Sequence, residues 1–150
     1  MNSFQIENTL GYRINRCAIV LKQELQERFF RAGFTITPEE WIILNRLWEN
    51  DKMTQNELSQ KTLKDKTTVT RFLNDMEKDG LIQRVPSSTD RRNNHIHLTA
   101  KGRGLKEKLI PIAKSLLSDA AKGLDPKALE VTLSSLMEIE KNMTKLRTTE

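Results

Sequence analysis

Thr67, Thr70, Arg71 and Asn74 recur at steps of one, three and four residues, with Lys64 and Lys66 just ahead of them. If that stretch is helical, these side chains can share one side of it. Their chemistry is that of groups that read base edges: a guanidinium fork pairs with guanine and a carboxamide pairs with adenine. A threonine meets polar edges with its hydroxyl or a thymine methyl with its own methyl. Projected at about 100° per residue, Val69, Phe72, Leu73 and Met76 fall within about 60° of one direction. Thr67, Arg71, Asn74 and Lys78 gather between about 140° and 200° from it, and Thr70 sits on the flank near about 100°. One face is therefore built for a core and the opposite face for a polar partner. An ordinary solvated helix face would look similar in isolation, so the neighbouring elements must decide.

The elements on either side fit a reading device. Thr54-Gln55-Asn56-Glu57 has the capping-box spacing ahead of Leu58 and predicts a short helix to about Lys61. A tight turn from Thr62 to Lys64 leads to Asp65, an N-cap for the helix carrying Val69 to Met76, and Gly80 follows at its C-terminal stop. Two helices joined in this way form a helix-turn-helix pattern. Ile82-Gln83-Arg84-Val85 and His95-Ile96-His97-Leu98 are short and strand-like, and the second alternates strictly. Pro86 to Asn94 between them is loop chemistry, which predicts a β-hairpin with a long basic tip.

Helices flank this centre. Ile6, Leu10, Ile14, Ala18, Leu21, Leu25 and Phe29 make one apolar stripe on a long first helix ending near Gly33. Thr37-Pro38-Glu39-Glu40 starts a second helix carrying Trp41, Ile42, Leu44, Leu47 and Trp48. Thr99 can cap a fifth helix through Leu105, Leu109, Ile112, Leu116 and Leu117, with Pro111 expected to kink it. Asp125-Pro126 begins a last helix bearing Leu129, Leu133, Leu136, Glu140 and Met143. The expected fold class is mainly α with a small β-hairpin wing, in the order α-α-α-α-β-β-α-α.

Charge is placed unevenly. The 150 residues carry 25 Lys and Arg against 20 Asp and Glu, a formal charge of +5. Between Lys61 and Lys106 stand 11 cations and five anions, so this third of the chain holds +6 and the remainder −1. Phosphates are the natural partners of such a segment, because cations displace condensed counterions from them. No apolar run approaches the roughly 18 residues of a membrane span, and no N-terminal secretory pattern is present. With a single cysteine there is no intrachain disulfide, and the expectation is a cytoplasmic protein.

The run from Thr54 through Gly102 resembles the winged helix-turn-helix of the MarR family of transcriptional regulators. Thr54-Gln55-Asn56-Glu57-Leu58-Ser59 is similar to the family's opening helix of the motif. Thr67-Thr68-Val69-Thr70-Arg71, followed by Leu73 through Ile82, is similar to its recognition helix and the turn into the wing. Asp90-Arg91-Arg92 followed by Leu98-Thr99-Ala100-Lys101-Gly102 resembles the wing signature, the most specific of the three.

The resemblance implies a homodimer on double-stranded DNA, most often a repressor, released or modulated by a small aromatic or amphipathic effector. Residues 1–33 and 105–150 would form the helical dimerisation region and 37–104 the DNA-binding lobe of one 1–150 unit. It implies that Asp90 orients Arg92, which enters the minor groove, while Arg91 meets phosphate. A fixed guanidinium suits a narrow, strongly negative minor groove. The candidate DNA contacts are Thr54, Gln55, Lys64, Lys66, Thr67, Thr70, Arg71, Asn74, Arg84, Arg91 and Arg92, with Asp90 behind them. Intertwined apolar stripes from two chains would present two recognition helices to half-sites about one helical turn apart.

Other residues invite other chemistries. His95 and His97 share a strand face, but zinc needs more ligands than these two, so no metal and no cofactor is expected. Cys17 lies on or beside the first helix's apolar stripe and reads as a buried structural thiol. The alternative is a redox switch of the kind some MarR-like regulators use, although Tyr12 is the only tyrosine available to support a thiolate. Trp41 and Trp48, seven apart, read as core, with an effector pocket as the alternative. No phosphate-binding glycine loop, H-E-x-x-H or G-x-S-x-G occurs, so an enzyme is not expected. A winged-helix protein-interaction module is the remaining rival from another class.

Overall fold

The structure, a computed structural model, describes residues 3–62, 64–90 and 92–148. After a 3-10 turn at Ile6–Asn8 come the helices α1 (Leu10–Arg31), α2 (Pro38–Glu49), α3 (Gln55–Thr62) and α4 (Lys66–Lys78). An antiparallel hairpin follows, β1 (Ile82–Val85) with β2 (His95–Leu98), and then α5 (Ala100–Gly104), α6 (Lys106–Ala120) and α7 (Pro126–Thr148). The fold is mainly helical with a two-stranded wing, and the expected order holds with the fifth helical stretch divided in two. The chain separates into two compact units, Met1–Ala113 and Lys114–Glu150.

The helix ends follow from local side chains. Thr37 Oγ1 accepts the Glu40 N–H at 3.1 Å, Asp65 Oδ1 that of Thr68 at 2.7 Å, and Thr99 Oγ1 that of Gly102 at 3.1 Å. Thr54 and Glu57 form the reciprocal box: Glu57 N–H donates to Thr54 Oγ1 at 3.2 Å and Thr54 N–H to Glu57 Oε2 at 3.4 Å. Each bond satisfies a backbone donor that the first helical turn leaves without a partner. At the end of α4, Gly80 takes φ +73°, its N–H reaches Glu77 O at 3.0 Å, and Leu81 N–H reaches Met76 O at 2.9 Å. This is a Schellman stop, and it turns the chain sharply into β1.

The core of the first unit is formed by Phe29, Ile43, Leu44, Leu47, Leu58, Val69, Leu73, Met76, Ile82 and Ile96, all fully buried. The Phe29 and Trp41 rings stand 5.4 Å apart, Trp41 and Trp48 meet edge to face at 5.7 Å, and Trp48 Nε1–H donates to Gly102 O at 3.0 Å. The tryptophans, half-buried, thus join α1, α2 and α5 at the margin of this core.

Several expectations need correction. Ile6 lies ahead of α1, in the 3-10 turn, because Thr9 binds Ile6 O through its hydroxyl at 2.7 Å and starts a new helix. Of the first stripe, only Leu25 and Phe29 are buried, while Leu10, Ile14 and Leu21 are exposed. Within its unit, α1 therefore buries only its C-terminal part. Cys17, expected to be buried, is exposed for that reason. The fifth helical stretch is interrupted at Leu105, while Pro111 stands inside α6. Gly102 and Gly104, weak helix formers, lie just before that break.

In the second unit, α7 buries none of its residues, and Val131, Leu133, Leu136, Met137, Met143 and Leu146 are exposed. No described helix is long and apolar enough to cross a membrane.

Candidate nucleic-acid interface

The helical projection of α4 is realised. Val69, Leu73 and Met76 are buried and Phe72 is half-buried, whereas Lys66, Thr67, Arg71 and Asn74 are exposed, as is Lys64 just before the helix. The Arg71 guanidinium lies 5.3 Å from the centre of the Phe72 ring, an arrangement that steadies the side chain without consuming its donors. The Thr68 backbone N–H, and then the Thr68 hydroxyl, hold the Asp65 carboxyl below the usual carboxylate range. The N-cap therefore stays ionised beside the two lysines.

Thr54, Gln55, Thr70 and Arg84 are committed to other protein groups. Thr54 is half-buried, caps α3 and bridges to His95. The Gln55 carboxamide donates to the Thr70 hydroxyl, which in turn donates to Lys66 O at 2.7 Å. Arg84, expected at the DNA, is turned instead onto α4. Its Nη1 stands 3.3 Å from Glu77 Oε1, its Nη2 donates to Thr70 O at 3.3 Å, and its backbone N–H donates to Glu77 Oε2 at 3.0 Å. The Gly80 turn folds β1 back along α4, bringing Arg84 beside Glu77 and leaving its side chain only 16% exposed. Glu77 was not singled out from the sequence. Its signal was an acid seven residues before an arginine, across a glycine stop.

The hairpin is held at its base by the segment before α3. Met53 O accepts the Ile96 N–H at 2.8 Å, Asn94 O that of Gln55 at 3.0 Å, and Asp51 Oδ1 that of Leu98 at 2.9 Å. Asn93 Oδ1 accepts the Asn56 N–H at 3.4 Å, a contact no sequence pattern announced. His95 Nδ1 sits 2.9 Å from Lys52 O, so this imidazole fastens the wing. Among the described residues no group of three or more His, Cys, Asp or Glu could hold a metal ion.

At the wing tip, Asp90 Oδ1 accepts the Arg92 backbone N–H at 2.9 Å and Asp90 O accepts that of Asn93 at 3.2 Å. Asp90 thus shapes the loop that carries Arg92, whose side chain is exposed. The bracing acts through the backbone of Arg92 and not through its guanidinium. Arg91 lies outside the described residues.

Two further features stand apart from this face. A groove of about 340 Å³ is lined by Gln23, Gln26, Glu27, Phe30, Phe34, Thr35 and Ile36. Glu40 is buried, and its Oε2 has no hydrogen-bond partner among the described residues. Burial, followed by repulsion from Asp79, Asp75 and Glu39, pushes its pKa up to about 7 against the stabilising Thr37 backbone N–H.

The arrangement can be set beside known proteins. The MarR family model matches residues 36–93, the stretch from the start of α2 into the wing. The chain is 36% identical over 104 residues to the organic hydroperoxide resistance transcriptional regulator of Bacillus subtilis (strain 168), covering 69% of this chain and 71% of that protein. Among solved structures, a probable transcriptional regulator from Pseudomonas aeruginosa superposes with a TM-score of 0.82 at 24% identity, over 90% of this chain and 99% of that one. A structure describing regulation of DNA binding of Bordetella bronchiseptica BpsR by 6-hydroxynicotinic acid superposes with a TM-score of 0.83 at 19% identity, over 93% and 98% of the two chains. At these identities the two structures speak for the fold alone.

Proposed function

Because the chain belongs to the MarR family of transcriptional regulators, which are not enzymes, we propose that it is a homodimeric repressor acting on a pseudo-palindromic operator. One observation carries the DNA contact: α4 turns Thr67, Arg71 and Asn74 outward, with Lys64 and Lys66 at its entry, while its opposite face is in the core. That face enters the major groove and reads base edges, and the lysines meet phosphate. Arg92, on the loop shaped by Asp90, reaches the adjacent minor groove. Arg91 adds a phosphate contact. Thr54, Gln55 and Thr70 serve first as supports for this face, and Arg84 supports it in place of touching DNA.

The dimer reading is supported by the exposed apolar residues of α1 and of α7, more than a lone small domain leaves in water. A second copy covering them gives a two-fold assembly with two recognition helices, set for half-sites about one helical turn apart. Residues 1–33 and 105–150 supply that interface and 37–104 the DNA contact. The whole assembly works in the cytoplasm.

A small aromatic or amphipathic effector shifts the spacing of the two recognition helices by binding one spacing more tightly than the other. The Phe30, Phe34 and Ile36 groove suits such a molecule, and the BpsR relative is regulated by 6-hydroxynicotinic acid.

The exposed thiol of Cys17 favours a second reading, a redox switch, since the B. subtilis relative serves organic hydroperoxide resistance. Against it, Tyr12 lies five residues earlier, about 140° round α1, so it does not share the thiol's face. Loss of DNA binding on hydroperoxide treatment, absent in Cys17→Ser, would establish the switch.

The test of the main reading is sequencing of genomic fragments selected by the purified protein at two salt concentrations. The expected result is an enriched pseudo-palindrome that survives the higher salt. Recovery of no enriched sequence at either salt would reject it.

A further inference from the structure

One polar chain in the first unit runs through three elements and ends on no solvent-facing reader. It begins at Gln55 on α3, passes to the hydroxyl of Thr70 on α4, and resumes at the backbone carbonyl of Thr70, which accepts from Arg84 Nη2 at 3.3 Å. Arg84 on β1 then closes back onto α4 through Glu77, at Oε1 with Nη1 and at Oε2 with its backbone N–H, 3.3 and 3.0 Å. Thr70 is half-buried on the flank of the reading face, one residue from Arg71. The same carboxylate and guanidinium therefore fix two things at once: where β1 leaves α4, and how the Thr70 turn of α4 is held against α3.

We infer that Glu77 and Arg84 are positioning residues for DNA recognition, a strut that sets the wing relative to the recognition helix without touching DNA. This rests on the DNA-binding reading above. Two physical features separate the strut from its alternatives. First, Glu77 is an anion on the helix that faces a polyanion. Simple Coulomb attraction predicts that removing its charge tightens DNA binding, whereas a strut predicts that it weakens. Second, a cation that touches phosphate contributes about 0.9 to the slope of log affinity against log salt. Arg84, with its charge paired to Glu77 and one N–H on each Nη engaged by Glu77 and Thr70, contributes nothing to that slope if it acts as a strut.

Geometry also separates arginine from lysine here. The strut needs two donors in a fixed fork, one for Glu77 Oε1 and one for Thr70 O. A lysine ammonium is a point charge that serves a phosphate well but cannot span both acceptors in that planar arrangement.

The experiment measures affinity for the selected duplex and for a scrambled duplex across a salt series. The proteins are the full-length parent, Glu77→Gln, Arg84→Gln, the double variant and Arg84→Lys. The expected result is a loss of about tenfold on the selected duplex for each single glutamine variant, with the double variant no worse than the weaker single one, since the pair acts as a unit. The salt slope stays that of the parent, and affinity for the scrambled duplex stays within about twofold. Arg84→Lys, which keeps the charge and the fold, shows the same loss as Arg84→Gln. Tighter binding by Glu77→Gln, a slope reduced by about one in Arg84→Gln, or full rescue by Arg84→Lys would each overturn the inference. A parent that binds no duplex would overturn the DNA-binding reading itself, and the strut with it.

Discussion

Gly102 lies against the carbonyl oxygen of Leu81 so closely that a Cβ on Gly102 would overlap it. That oxygen also accepts the Thr99 N–H at 3.1 Å, and the Gly102 carbonyl in turn accepts from Trp48 at 3.0 Å. The turn after α4, the start of α5 and the second tryptophan of α2 thus meet at one hydrogen side chain. Gly102→Ala should cost about 1–3 kcal/mol, the usual penalty for forcing a group into filled space. Urea unfolding checks it: the midpoint should fall with the m-value unchanged. An unchanged midpoint would mean that the two backbones separate freely.

Glu40 makes stability depend on pH in an unusual direction for a carboxylate. Its folded pKa, about 7, lies above the ordinary carboxyl value of 4.5, so between those values the native state holds the extra proton. Its contribution is fully present below the unfolded pKa and is lost as pH rises through the folded one. Glu40→Gln, which keeps the shape without the charge, should therefore be more stable than the parent at about pH 8, by on the order of 2–3 kcal/mol. The two proteins should converge near about pH 5. Urea midpoints across that range test this, and a constant difference at all pH values would contradict it.

At the wing, Asp90 and Arg92 are joined by the backbone bond of 2.9 Å. Asp90→Ala should weaken binding to the selected duplex by about 1 kcal/mol, the value of one such hydrogen bond. Asp90→Asn keeps an acceptor oxygen for that N–H and sheds a charge that repels phosphate, so it should bind at least as well as the alanine variant, and close to the parent. Alanine binding as tightly as the parent at matched salt would remove Asp90 from the account.

What could be read in advance was what depends on short range. The caps at Thr37, Asp65 and Thr99, the Thr54–Glu57 box and the Gly80 stop are settled by residues within four positions, and they stand where periodicity and capping place them. The outward face of α4 followed from its own apolar stripe. The pairing of Arg84 with Glu77 has no sequence signal, because it is set by how β1 folds back across the Gly80 turn, which charge and strand pattern do not report. Cys17 was misread because an apolar stripe records that a surface wants covering, and not whether the same chain covers it.

That uncovered surface yields a prediction for α7. Leu133 and Met137, 55% and 69% exposed, lie one turn apart. Leu133→Glu with Met137→Glu should leave the first unit folded but separate the dimer, because each chain would bring two charges to be buried at the shared interface. Sedimentation at matched concentration should show a dimeric parent and a monomeric variant. A variant that remains dimeric would place the interface elsewhere.

The central claim is that the α4 face reads sequence. It is tested most directly by titrating the selected duplex and a scrambled duplex of the same length with the parent and with Arg71→Ala, at one salt concentration. The account predicts that the parent prefers the selected duplex by about 10³-fold or more. Arg71→Ala should lose about 1–3 kcal/mol on that duplex and little on the scrambled one. Equal affinity of the parent for both duplexes would contradict it.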